Sequence, residues 1–225
     1  MTYRVIDIET VPLAASMAAP YPEADRQPPA NYKNPDAIEG WRAKDRLAWA
    51  EQRAKECSLN PRLGRVLAVG IATPADEGVI YAQDEDLEKA AIRAFWDELM
   101  DSEMPAKAIT WNGAWDLRFL VIRSLILGLT IPVDARIVRD WAKPFNTDWH
   151  TDVKRVFVGD GITKGEGLDE WARVFGLPGK AEGWTGASVY PAYLEWRHQD
   201  IQDYCLADVV ATRSLYQIVA PIVED

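Results

Sequence analysis

Hydrophobic and polar residues alternate with a period of two at the start of this chain and fall into helical spacing in several later stretches. In Tyr3-Arg4-Val5-Ile6-Asp7-Ile8-Glu9-Thr10 the β-branched Val5, Ile6 and Ile8 favour a strand, and the period places Asp7 and Glu9 on one face. A second strand is predicted over residues 63–73, with a hairpin partner over 78–82 beyond the turn Pro74-Ala75-Asp76-Glu77. Leu87, Ala91, Phe95 and Leu99 predict an amphipathic helix over residues 84–100. Residues 106–111 read as a short strand ended by Asn112-Gly113, residues 114–127 as a helix, and residues 131–134, which include Pro132, as an edge strand. No period stands out over residues 135–149; residues 150–157 read as a helix. Residues 159–167 form a glycine-rich loop that matches neither a P-loop nor a dinucleotide fingerprint. Residues 168–175 read as a short helix closed by Gly176, residues 179–196 as aromatic and irregular, and the last helix runs from about 197 to 219, stopped by Pro221.

Residues 12–60 interrupt this order after the first strand. The interruption holds Pro20, Pro22, Pro28, Pro29 and Pro35, and Asn34 before Pro35 has the form of a helix cap and first turn. Ile38, Trp41, Leu47, Trp49 and Ala50 carry that helix to about Cys57. Net charge changes the picture here: the chain carries −10 overall, yet residues 42–65 hold seven basic residues against three acids. An acidic body disfavours gripping a polyanion with the whole surface, and the basic stretch leaves a local route to one. At 225 residues a single domain, enlarged by the insertion, is expected. The longest apolar run, residues 119–131, is interrupted by Arg123 and Ser124, and no basic-then-apolar leader opens the chain, so a cytoplasmic protein that does not enter a membrane is expected. Cys57 and Cys205 read as reduced structural thiols.

Three acidic features carry the candidate chemistry. Asp7 and Glu9 lie side by side on an apolar strand; either the strand is at the surface with solvated acids, or a cation offsets their repulsion, and carboxylates suit magnesium or manganese. Asn112-Gly113-Ala114-Trp115-Asp116 puts an acid in the first turn of a helix, where it either caps that helix or reaches the same ion. Tyr204 and Asp208, four apart, share a helix face, and Ile201, Leu206, Val209 and Leu215 mark that helix as packed on the core.

In this order the three motifs resemble the DnaQ-like DEDDy 3′-5′ exonucleases, and more closely the predicted 3′-5′ exonucleases related to the proofreading domain of family B DNA polymerases. The likeness extends through Gly64-Arg65-Val66, Leu168-Asp169-Glu170 and Gly176-Leu177-Pro178-Gly179-Lys180, and covers most of the chain except residues 12–60. The element order is that of the ribonuclease-H-like α/β architecture, a mixed five-stranded sheet flanked by helices, with a mainly helical insertion after the first strand. The resemblance implies that Asp7, Glu9, Asp116 and Asp208 bind two divalent ions, Mg2+ or Mn2+, and that Tyr204 positions the attacking water. A histidine form of the motif would need His at position 203, which is Asp; His150 and His198 read as structural or surface residues.

The resemblance also implies single-stranded DNA or 3′ overhangs as substrate, with RNA as the alternative, and a polymerase or repair protein acting in trans. A non-catalytic nucleic-acid-binding module on the same fold is the competing reading. Thr10 and Asn112 match positions near the terminal nucleotide, and Trp115 stands where Phe or Tyr is more usual. Tyr32, Trp41, Trp49, Trp184 and Tyr190 are candidates for stacking on bases. The insertion helix reads either as a lid whose Lys33, Arg42 and Arg46 touch phosphates, or as a buttress or dimer contact.

Overall fold

A computed structural model describes residues 2–101, 104–141, 143, 148–159, 167–179 and 183–224. Its strands in chain order are β1 (Tyr3–Pro12), β2 (Gly64–Ala72), β3 (Glu77–Tyr81), the short β4 (Met100–Asp101) and β5 (Met104–Pro105), β6 (Lys107–Thr110) and β7 (His150–Asp152). Its helices are α1 (Ala14–Met17), α2 (Pro35–Ser58), α3 (Glu85–Leu99), α4 (Ala114–Ile126), α5 (Ala135–Asp140), α6 (Val153–Val158), α7 (Leu168–Val174), α8 (Gly186–Leu194) and α9 (His198–Val223). The main sheet has the order β3-β2-β1-β6-β7. β1 runs antiparallel to β2 and parallel to β6, and β7 is parallel to β6, which makes the sheet mixed.

The alternation read from the sequence decides what each face of β1 meets. Ile6 and Ile8 join a core with Phe95 and Leu99 of α3 and Leu117 and Leu120 of α4. Val5 packs with Val209 and Leu215 of α9, while Val11 packs with Ile201 and Tyr204 of the same helix. Asp7 and Glu9 share that second face, so the strand delivers two acids to the underside of α9.

The structure corrects four of the predicted elements. Residues 131–134 are not a strand: Val133 is buried in the core, and the Asp134 side chain accepts the Arg136 amide to cap α5. The outer edge is taken by β7, where His150 is held between Thr110 and the Trp141 carbonyl, so the helix predicted over 150–157 begins only at Val153. The irregular stretch 179–196 contains helix α8, whose Gly186 and Pro191 obscure a buried Val189 and Ala192. Pro221 does not stop α9: it sits inside the last turn, and the helix runs on to Val223. The glycine-rich loop between Gly159 and Gly167 and the position of Lys180 lie outside the described residues.

Two further departures concern burial. Leu87, assigned to the inner face of α3, is 46% exposed, whereas Glu88 is buried to 1%. Glu88 accepts the Val66 amide at 2.8 Å and pairs with the buried Arg123 guanidinium at 2.5 Å, so its charge is answered inside the core. α9 has the length and apolar composition to cross a bilayer, despite the interruptions by Asp208 and Arg213. Here it lies across β1, β2 and β3 as the core helix of the fold.

In the insertion, Asn34 caps α2 as read from the sequence, its side chain accepting the Asp36 amide. Only Ala54 and Cys57, at the C-terminal end, are buried. The preceding segment is tied to the helix by charge: Arg26 pairs with Asp45 at 2.8 Å, Tyr21 also bonds Asp45, and Arg42 and Arg46 reach Glu23 at 3.4 and 3.5 Å.

Candidate active site

Asp7, Glu9 and Asp208 meet with carboxylate oxygens all within 4.8 Å of one another. Their approach depends on Gly70, which pairs with Asp7 across β1 and β2. A Cβ at Gly70 would lie 2.9 Å from Val209 Cγ1 and 3.0 Å from Cys205 Sγ, so only glycine lets α9 settle this close to the strand. Three carboxylates so near, with Glu9 and Asp208 buried, form a hard-oxygen donor set of the kind that takes Mg2+ or Mn2+.

Asp116 arrives by a different route. Two residues beyond β6 comes Asn112, whose φ of +66° is left-handed, and whose amide donates to Asp152 Oδ1 at 2.9 Å. Gly113 follows because a Cβ there would fall 1.9 Å from Thr110 Oγ1. The turn starts α4 with Asp116 buried, its Oδ1 accepting the Ile8 amide at 3.3 Å. Burial pushes the Asp116 carboxyl up to about 7, with Asp152 and Asp208 adding to the rise and the backbone amides of Asp116 and Ile8 opposing it.

The folded state therefore holds the Asp116 proton more tightly than the unfolded chain does. In chelator, stability should fall as pH rises from about 4 to about 7, by up to about 4 kcal/mol on this account. Asp116→Asn is expected to melt higher than the wild type at pH 8 and to match it near pH 4. Thermal melts in chelator across this range check the prediction; a constant offset at every pH would refute it.

Tyr204 is buried to 3%, hydrogen-bonded to Asp208 and stacked on Trp184 with centroids 5.5 Å apart. The Arg197 guanidinium lies over the Trp184 ring at 5.2 Å. Burial, then the charges of Asp208, Glu9 and Asp7, push the phenol far above its ordinary range, so Tyr204 stays protonated and acts as a donor. His150, buried against Thr110 and the Trp141 carbonyl, is pushed down to about 4 by burial and keeps a structural place in the sheet.

The predicted substrate contacts fare differently. Asn112 is exposed two residues beyond β6. Thr10 Oγ1 donates to the Ser58 carbonyl at 2.8 Å, and Trp115 Nε1 to the Leu59 carbonyl at 3.3 Å, so both side chains turn to the end of α2. Lys33 is exposed, while Arg42 and Arg46 are engaged by Glu23. Of the stacking candidates, Tyr32 is exposed, Trp41 half-buried, Trp49 meets Tyr21 edge-on, Tyr190 stacks on Tyr193, and Trp184 covers Tyr204. Sequence reading missed Asp152, which holds the Asn112 turn and caps α6 through the Lys154 amide at 3.2 Å. An acid directly before the apolar helical run of α6 was the available signal.

A mixed five-stranded sheet with helices on both faces, its central strand and last helix sharing an acidic cluster, defines a ribonuclease-H-like α/β protein. The chain belongs to the family described as predicted 3′-5′ exonucleases related to the exonuclease domain of PolB, whose family model matches residues 59–222. That match begins after β1, so Asp7 and Glu9 lie outside it. Among solved structures, the family B DNA polymerase from the hyperthermophilic archaeon Pyrobaculum calidifontis is similar with a TM-score of 0.63 at 18% identity. The likeness covers 98% of this chain and 25% of the polymerase, so the chain spans about a quarter of that protein's length. No curated protein matches the chain.

Proposed function

We propose that this protein is a metal-dependent exonuclease that hydrolyses phosphodiester bonds at 3′ ends of single-stranded DNA. The observation that supports it most is the clustering of Asp7, Glu9 and Asp208 within 4.8 Å beside a buried, protonated Tyr204. Asp7, Glu9 and Asp208 would hold magnesium or manganese, with Asp116 completing a two-ion site. Such ions, when bound, lower the pKa of water and offset charge building on the phosphate oxygens and the leaving 3′-oxygen.

The chain's own residues supply the rest. Asp7 and Glu9, on a rigid central strand, set where the scissile phosphate must lie relative to Asp208. Tyr204 orients the attacking water through its phenol oxygen, which accepts from the water while its one O–H is given to Asp208, and the protonated phenol does not serve as the base. A groove of about 720 Å³ opens beside Tyr204, walled by Leu168, Asp169, Arg173, Trp184 and Thr185. Its glycines, Gly167, Gly179, Gly183 and Gly186, and its two aromatic rings, Trp184 and Tyr204, suit a backbone-tracking, sequence-tolerant grip. Similarity of fold to a DNA polymerase favours DNA over RNA as substrate. We place the protein in the cytoplasm, acting in trans with a polymerase or repair protein.

The test uses 3′-labelled and 5′-labelled DNA and RNA oligomers incubated with magnesium, manganese or chelator. Stepwise loss of the 3′ label from DNA, only with metal, is expected. Faster trimming of RNA would transfer the reading to an exoribonuclease. Binding without cleavage in either metal would leave a non-catalytic module and end the proposal.

A further inference from the structure

We propose that residues 58–61, where the insertion rejoins the sheet, are a brace that sets the separation of Glu9 from Asp116, with Thr10 and Trp115 as its positioning residues. The inference rests on the exonuclease reading and assigns the insertion a part in it. The carbonyls in the last turn of a helix have no partner within the helix. At the end of α2 two such groups are taken by side chains from the two elements that carry metal-site acids. The Ser58 carbonyl accepts Thr10 Oγ1 at 2.8 Å, and Thr10 directly follows Glu9 on β1. The Leu59 carbonyl accepts Trp115 Nε1 at 3.3 Å, and Trp115 directly precedes Asp116 on α4.

The brace itself has little freedom. The Pro61 carbonyl accepts Arg123 Nη1 at 3.0 Å, and that guanidinium is held by Glu88 inside the core. The Leu63 carbonyl accepts the Leu13 amide at 2.9 Å, and the Gly64 amide returns to Asn60 at 2.7 Å. A Cβ at Gly64 would fall 2.5 Å from the Cys57 carbonyl, so the helix end is seated against the start of β2. The pairing of β1 with β2 shifts register between Glu9 and Thr10, which is where β1 leaves its regular ladder to meet the brace.

Two ligand-bearing segments are thus tied to one short stretch of backbone by one hydrogen bond each. Loss of either tie should let a carboxylate drift, and displacements on the order of 1 Å cost catalysis heavily. A substrate-contact role for the same side chains makes a different prediction, because it would act on binding of the strand. The Arg42 and Arg46 pairs with Glu23 fit this assignment, since they fasten the insertion to itself.

The experiment compares Thr10→Val, Thr10→Ser and Trp115→Phe with the wild type, each first shown by thermal melting to be folded. Measured are kcat and KM on a 3′-labelled DNA oligomer, and Mn2+ affinity without substrate by electron paramagnetic resonance. Thr10→Val and Trp115→Phe should lower kcat by roughly tenfold and weaken Mn2+ binding severalfold, with KM for the oligomer unchanged. Thr10→Ser, which keeps the hydroxyl, should restore both. A rise in KM with kcat and Mn2+ affinity intact would overturn the proposal in favour of substrate contact, and no change in kcat or Mn2+ affinity would overturn it outright. If the wild type cleaves nothing, the exonuclease reading has failed and the Mn2+ titration alone decides the brace.

Discussion

Asp208→Asn is expected to release nucleotides from 3′ ends about a thousandfold more slowly than the wild type, a loss of roughly 4 kcal/mol in barrier lowering. The carboxylate sits on α9 against β1, in the tight group with Asp7 and Glu9. An amide of the same shape keeps the packing and removes one negative charge from the donor set. Folding should not suffer: without metal the like charges repel, so the variant should melt at or above the wild-type temperature in chelator. Asp7→Asn should behave in the same way. Tyr204→Phe is a contrast, because it deletes a donor that shares a hydrogen bond with Asp208 while the three carboxylates stay, and about a tenfold slowing with Mn2+ binding retained is expected. Initial rates on a labelled oligomer, with manganese binding measured separately, distinguish the cases. Wild-type turnover by purified Asp208→Asn would remove the acidic cluster from the chemistry.

Arg123→Ala should destabilise the fold by about 3–5 kcal/mol, enough to lower the melting temperature by about 10 °C. Arg123 and Glu88 are both almost wholly buried, and their 2.5 Å pair joins α4 to α3. Removing the guanidinium leaves the Glu88 carboxylate in the core with, among the described residues, only the Val66 amide bonded to it, and strips the Pro61 carbonyl of its donor. The paired replacement Glu88→Leu with Arg123→Met should recover most of that loss, because it leaves no uncompensated charge. Chemical denaturation of Glu88→Leu, Arg123→Met and the double variant measures the coupling. Additive losses would mean that the pair is not one unit.

What could be read early and what could not follow from the range of the interactions involved. β1, the β2–β3 hairpin and the helices α2, α3 and α4 are specified by alternation, turn residues and caps within a few residues of one another, and they lie close to where those signals put them. Leu87 and Glu88 show the limit. Spacing alone turned Leu87 inward, whereas Arg123, 35 positions along the chain, made it possible to bury Glu88. The edge strand shows the same limit: residues 131–134 carry a strand-like composition, but the place beside β6 went to His150–Asp152 because His150 could be held by Thr110 and the Trp141 carbonyl.

The site divides along the same line. Asp7 with Glu9, Asn112 with Asp116, and Tyr204 with Asp208 were legible as spacings, since each pair needs only the period of its own strand, turn or helix. The meeting of Asp208 with β1 required Gly70 to admit α9, and the turning of Thr10 and Trp115 toward the end of α2 required the insertion to fold back onto the site. By itself the sequence determined which residues could share a face, because that depends on local backbone geometry. Only the tertiary structure decided which faces meet and which buried charges are answered, because those contacts join segments that local periodicity does not connect.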